Sequence, residues 1–130
     1  MAKSLIGLVE GKFADAVVHS HSRLGNDTVV VRSESLPDIL EFLKDDDASQ
    51  MNFLRDITAV DYLQRKPRFD VVYVLYSMAK KHMLTVRVQL EETDISVPSV
   101  SHLWGCAGWL EREVFDMYGL NFVGHPDLRR

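Results

Sequence analysis

With 130 residues, 46% of them hydrophobic, the chain has the length and apolar content of one domain able to bury its own core. Nineteen acidic against 15 basic side chains leave a net charge of -4 and no basic stripe, which excludes generic binding to a phosphate backbone. The single cysteine, Cys106, excludes an intramolecular disulfide and any self-contained four-cysteine cluster or cysteine-rich zinc site. No apolar run approaches the ~20 residues that span a bilayer. Met1 to Ile6 also lacks the shape of a signal or transit peptide. A soluble intracellular chain is expected, with any membrane association made through partners.

In chain order, Ser4 can cap a first helix carrying Leu5, Leu8, Val9 and Phe13 at helical spacing. Ala16 to Arg23 reads as a strand, Leu24 to Asp27 as turn residues, and the β-branched run Thr28 to Arg32 as a returning strand. Ser35-x-x-Asp38 resembles a capping box with Pro37 in the first turn. It opens a helix striped by Leu36, Ile39, Leu40 and Leu43, which the acids Asp45 to Asp47 end by opposing its dipole. Three strands follow. They are Asn52 to Tyr62, Phe69 to Met78 after the Lys66-Pro67 break, and Met83 to Leu90 after a connection at Ala79 to His82. In the second, Phe69, Val71, Tyr73 and Leu75 share a face; in the third, Leu84, Val86, Val88 and Leu90 do. Glu91 to Pro98 reads as a polar loop before a C-terminal helix. The order α-β-β-α-β-β-β-α predicts one α+β domain over residues 1–130, two layers deep, with helices packed on one face of a mostly antiparallel sheet.

Catalytic patterns are scarce. There is no phosphate-binding glycine loop, no nucleophile elbow and no C-x-x-C. His19 and His21 point to one face of a strand but show no third metal ligand, which makes an exposed polar edge the plainer reading. Cys106 lies among Trp104, Gly105, Ala107 and Gly108, surroundings that predict a buried structural thiol rather than a nucleophile. Lys80, Lys81 and His82 read as an ordinary polar connection.

The C-terminal helix is more informative. Gly105 and Gly108 weaken it before Trp109, and Gly119 is placed to cap its end. At 100° per residue, Ala107, Leu110, Val114, Met117 and Tyr118 share a side, with Phe115 at its margin. Glu111 falls inside that apolar arc and needs a partner, for which Arg87, Arg129 and Arg130 are candidates. Trp109 projects oppositely, among Arg112, Glu113 and Asp116. A tryptophan beside arginine is typical of interface anchors. The plainer readings are a Trp folded over its own loop and a solvated face with an Arg112–Asp116 pair.

Glu111, Arg112, Glu113, Asp116, Met117, Tyr118, His125 and Arg129 resemble, element for element, the signature of the 30-kDa subunit family of respiratory complex I (the C-subunit of bacterial NADH-quinone oxidoreductase). Gly124, His125, Pro126, Asp127, Leu128, Arg129 and Arg130 look like that family's text as well, as do Ile57 to Tyr62, Phe69 to Ser77 and Val97 to Ser99. Members continue past the paired arginines with an apolar stretch and a tail, so a short or trimmed form is expected here.

The resemblance implies a non-catalytic subunit of the hydrophilic arm, holding no flavin, iron–sulfur cluster or quinone; those would lie in partner subunits. It would dock on the quinone-site subunit (the 49-kDa, or D, subunit) and other arm subunits, peripheral to the cytoplasmic face of a bacterial membrane and touching it only through the complex. The assembly would pass electrons from NADH to quinone and translocate protons. Two other readings stand beside it. One is the equivalent subunit of an energy-converting hydrogenase or an oxidoreductase with another donor. The other is a small enzyme using Cys106 or the His19/His21 pair.

Overall fold

The computed structural model describes residues 9–13, 15, 17–23, 26–46, 50–51, 53–61, 69–78, 81–91, 96–104 and 106–124. Five strands form one sheet: β1 (Val17–Arg23), β2 (Asn26–Val31), β3 (Phe53–Asp61), β4 (Phe69–Ser77) and β5 (His82–Leu90), in the order β1-β2-β5-β4-β3. The pairs β1–β2, β4–β5 and β3–β4 are antiparallel. Among the described residues of this sheet only β2 and β5 run parallel, Val29 opposite Val86 and Val31 opposite Val88. The fold is α+β on a mostly antiparallel sheet, as the alternating strands and two hairpins lead one to expect.

Helix α1 spans Leu36–Asp45, and its four striping residues Leu36, Ile39, Leu40 and Leu43 are fully buried. Burying each contributes about 1.5–3 kcal/mol, so the stripe and not the cap holds the helix in place. The expected capping box is not used. Ser35 makes no side-chain cap bond because a 3-10 turn over Ser33–Ser35 runs into the helix and holds Ser35 in the αR region. Of the first helix, residues 9–12 are helical and Val9 is buried; Ser4, Leu5 and Leu8 lie outside the described residues.

Val71, Tyr73, Leu75, Leu84, Val86 and Val88 join the α1 stripe in one hydrophobic cluster, together with Ala107 and Val114 of the last helix, α2 (Ala107–Tyr118). Both helices therefore cover the same face of the sheet. On the opposite face the Arg87 guanidinium donates to Asp70 at 3.0 Å, between neighbouring positions of β4 and β5. A bulge between Leu54 and Asp56 lets β3 turn Leu54 and Ile57 inward while Arg55 and Asp56 both face out.

Two short strands have no announcement in the hydrophobic pattern. Within the stretch read as a polar loop, β6 (Ser96–Pro98) pairs in parallel with β7 (Asn121–Val123) after α2. The Ser99 N–H extends that ladder to the Val123 carbonyl at 2.8 Å. Three-residue strands are shorter than any period can reveal, and Val97 and Phe122 are the buried residues that anchor them.

Candidate functional site

The site is built on α2 and the chain segments that hold it. The helix starts at Ala107 and takes in Gly108, earlier than the glycines predict, because Ala107 is completely buried and its N–H reaches the Trp104 carbonyl at 3.1 Å. It ends where expected: Gly119 adopts φ 74°, a left-handed conformation suited to glycine, and its N–H closes on the Phe115 carbonyl at 2.8 Å. That turn sends the chain back along β6 through the buried Leu120 and Phe122.

The inner face of α2 centres on Ala107, Glu111 and Val114. Glu111 is 0% exposed. Its Oε1 accepts from the Ser99 hydroxyl at 2.6 Å and its Oε2 from the Val100 N–H at 2.8 Å. Ser99 is oriented in turn by the Ser101 N–H, which donates to its Oγ at 3.2 Å. The burial of Glu111 is as the helical wheel predicts, and of the cations the sequence offers one can be placed. Arg87 sits on the far face of the sheet with Asp70, and Arg129 and Arg130 lie outside the described residues. Bonds from a hydroxyl and a backbone amide to the ionised carboxylate are charge-assisted and offset part of its desolvation. Below it stands Tyr73, buried, with a hydroxyl that has no hydrogen-bond partner among the described residues. Burial, and then the Glu111 charge, push the Tyr73 phenol well above its ordinary pKa, so it stays neutral.

Outward, the helix presents Trp109, 69% exposed, with Glu113, Asp116 and Met117, the last 74% exposed. Trp109 therefore projects into solvent and does not fold over its own loop. Met117 departs from the predicted apolar arc, because the sheet reaches the arc's Glu111–Val114 centre and not its edge. Arg112 and Tyr118 are half-buried, and Tyr118 packs against the core. Gly124 follows β7 with φ 91°. His125, Pro126, Asp127, Leu128, Arg129 and Arg130 lie outside the described residues, so the second half of the signature is not placed.

Cys106 is exposed, not buried as its neighbours suggest. It occupies the cap position of α2, and its thiol points to the Leu54 carbonyl at 3.5 Å. His19 and His21 sit opposite Val30 and Thr28 on β1, while their side chains lie outside the described residues. Among the described residues no group of three or more His, Cys, Asp or Glu could hold a metal ion, and no helix is long and apolar enough to cross a membrane. Ser99 and Val100 are the residues that sequence reasoning missed. A buried acid demanded donors, but nothing in the sequence marks which residues, eleven and twelve positions away, supply them.

The fold is thus an α+β scaffold whose signature acid is buried, while aromatic and acidic side chains of the same helix face out. The family described as respiratory-chain NADH dehydrogenase, 30 Kd subunit, matches residues 29–130. The chain belongs to that family. It is 48% identical over 117 residues to the NADH-quinone oxidoreductase C-subunit of Caulobacter vibrioides, covering 90% of this chain and 59% of the relative. It is 43% identical over 122 residues to the C-subunit of Hyphomonas neptunium, covering 94% and 60%. The chain thus spans about three fifths of the length of these curated relatives. Among solved structures, a trypsin-resistant fragment of Nqo5 superposes with a TM-score of 0.83 at 37% identity, covering 98% of this chain and 100% of that one. A chain of an archaeal membrane-bound sulfane sulfur reductase shares the fold, with a TM-score of 0.78 at 21% identity over 95% and 71% of the two chains.

Proposed function

We propose that this chain is a non-catalytic structural subunit of the hydrophilic arm of a respiratory NADH:quinone oxidoreductase, and that it braces the quinone-site subunit. The observation that carries the reading is the state of Glu111. A carboxylate with no exposure, held through both oxygens by Ser99 and Val100, is an architectural group and is closed to substrate. It pins α2 against the segment after β6 and thereby fixes the direction in which Trp109, Glu113, Asp116 and Met117 project. In this reading flavin, iron–sulfur clusters and quinone belong to other subunits, and the chain reaches the cytoplasmic face of the membrane only through them. The relatives' name, which makes them C-subunits of NADH-quinone oxidoreductase, supports the assignment.

The test is a native pull-down from solubilised membranes of the source cell, with the full-length protein as bait and mass spectrometry of what co-purifies. The quinone-site subunit should be recovered together with flavin- and cluster-bearing subunits of an NADH dehydrogenase. Recovery of a nickel–iron hydrogenase set would move the chain to a related assembly. Recovery of no partner would refute the proposal.

A further inference from the structure

The outer side of α2 carries more than solubility requires. Trp109, Glu113 and Met117 stand at i, i+4 and i+8, one above another along the helix, with Asp116 beside them. Among the described residues, Trp109 and Met117 are the two most exposed large hydrophobic side chains, at 69% and 74%. Neither is needed to seat the helix, which Ala107, Glu111 and Val114 do from the other side. Both carboxylates of the stripe, Glu113 and Asp116, are exposed, whereas the neighbouring Arg112 is half-buried. The stripe therefore offers an indole face and a thioether beside two open acids.

We propose that this stripe is a docking site for an arginine-bearing apolar segment of another subunit; the inference rests on the reading of the chain as part of a respiratory assembly. A guanidinium stacks on an indole and at the same time donates in a fork to a carboxylate, which a lysine ammonium does less well. Met117 adapts its flexible thioether to the aliphatic stem and the apolar neighbours of that arginine. Tryptophan, methionine and arginine are enriched in interfaces, where few residues carry most of the affinity, and carboxylates belong to the polar rim around them. The acids set register and encounter rate, and the Trp and Met contacts set the residence time.

The experiment uses the full-length chain in its native membrane complex. A photocrosslinking p-benzoylphenylalanine in place of Met117 is activated in the intact complex, and the joined peptide is sequenced by mass spectrometry. A peptide of a different, co-purifying subunit with arginine among apolar residues is expected. Crosslinks to residues 125–130 of the same chain, to a second copy, to lipid, or to a peptide without arginine overturn the proposal.

In parallel, Trp109→Ala and the double variant Glu113→Arg/Asp116→Arg replace the chromosomal copy, with Glu41→Arg on the exposed side of α1 as control. Retention in the solubilised complex should fall at least about 30-fold for Trp109→Ala, the change expected of an interface hot spot. The charge reversal should lower it about tenfold or more, and the control should not change it. Equal retention of all variants overturns the docking site while leaving the subunit assignment standing. If the unaltered chain itself is absent from any multi-subunit assembly, the assignment fails first.

Discussion

Replacing Glu111 separates an architectural carboxylate from a merely tolerated one. Alanine at this position leaves the Val100 N–H without its carboxylate acceptor and the Ser99 hydroxyl with only the longer bond to the Ser101 hydroxyl at 3.1 Å. Each unanswered buried donor costs about 1–3 kcal/mol, and the vacated volume adds to that. Glu111→Ala should therefore lose about 3–5 kcal/mol. Glutamine is nearly isosteric. Its carbonyl can keep the Val100 bond, and the Ser99 hydroxyl can rotate to accept from its amide, so only the charge-assisted strength is lost, about 1–2 kcal/mol. For a domain of this size 1 kcal/mol shifts Tm by roughly 3–5 °C, which places the alanine variant roughly 10–25 °C below the parent. Urea unfolding followed by far-ultraviolet circular dichroism measures both, with an unchanged slope showing that the two end states are preserved. An alanine variant within about 0.5 kcal/mol of the parent would refute the clamp. So would a glutamine variant less stable than alanine.

Three further predictions follow from the same geometry. Tyr73→Phe removes a buried hydroxyl that has no described partner, so stability at neutral pH should hold or rise slightly, as unfolding curves would reveal. The folded Tyr73 keeps its proton to higher pH than the unfolded chain does. Its contribution is thus intact below the ordinary tyrosine pKa of about 10 and is lost as pH rises beyond it. Phenylalanine should make stability less sensitive to alkali, and an identical alkaline fall in parent and variant would contradict this. Acrylamide should quench Trp109 readily and Trp104, only 6% exposed, poorly, so Trp109→Phe should leave a blue-shifted, protected emission. Gly119→Ala meets no atom within 4 Å but must hold φ 74°, so chemical denaturation should show a loss of about 1 kcal/mol, and less for Gly119→Asn.

Much of the fold was legible because its strands and helices obey simple periods. The alternation in Phe69 to Leu75 and in Leu84 to Leu90, and the four-residue stripe of α1, all turned inward as read. What escaped was set by tertiary geometry. The strands β6 and β7 are too short to show a period, and Met117 sits at the rim of an arc whose inner part alone meets the sheet. The exposure of Cys106 depends on where the chain enters α2, which apolar neighbours in sequence do not report. For Glu111 the sequence announced the problem, an acid among apolar residues, but not its solution. Opposite charge is the obvious candidate in a string of letters, while two donors that reach it, a serine hydroxyl and a backbone amide, look ordinary there. The outward placement of Trp109 followed directly from the helical wheel.

The parallel pairing of β2 with β5 has a consequence for how the chain is made. β3, β4 and β5 follow one another as a local meander, while β2 must wait for β5, joining Val29 to Val86 across much of the chain. Closing so long a loop costs entropy before the ladder returns any stabilisation. A nascent chain thus leaves the ribosome with the β1–β2 hairpin and the apolar side of α1 already synthesised but without the strand they pack beside. Stopped-flow kinetics should show it: Leu75→Ala, in the meander, slowing folding, and Val29→Ala mainly speeding unfolding. In the cell, the first third of the chain is the part a chaperone would have to shield until β5 emerges.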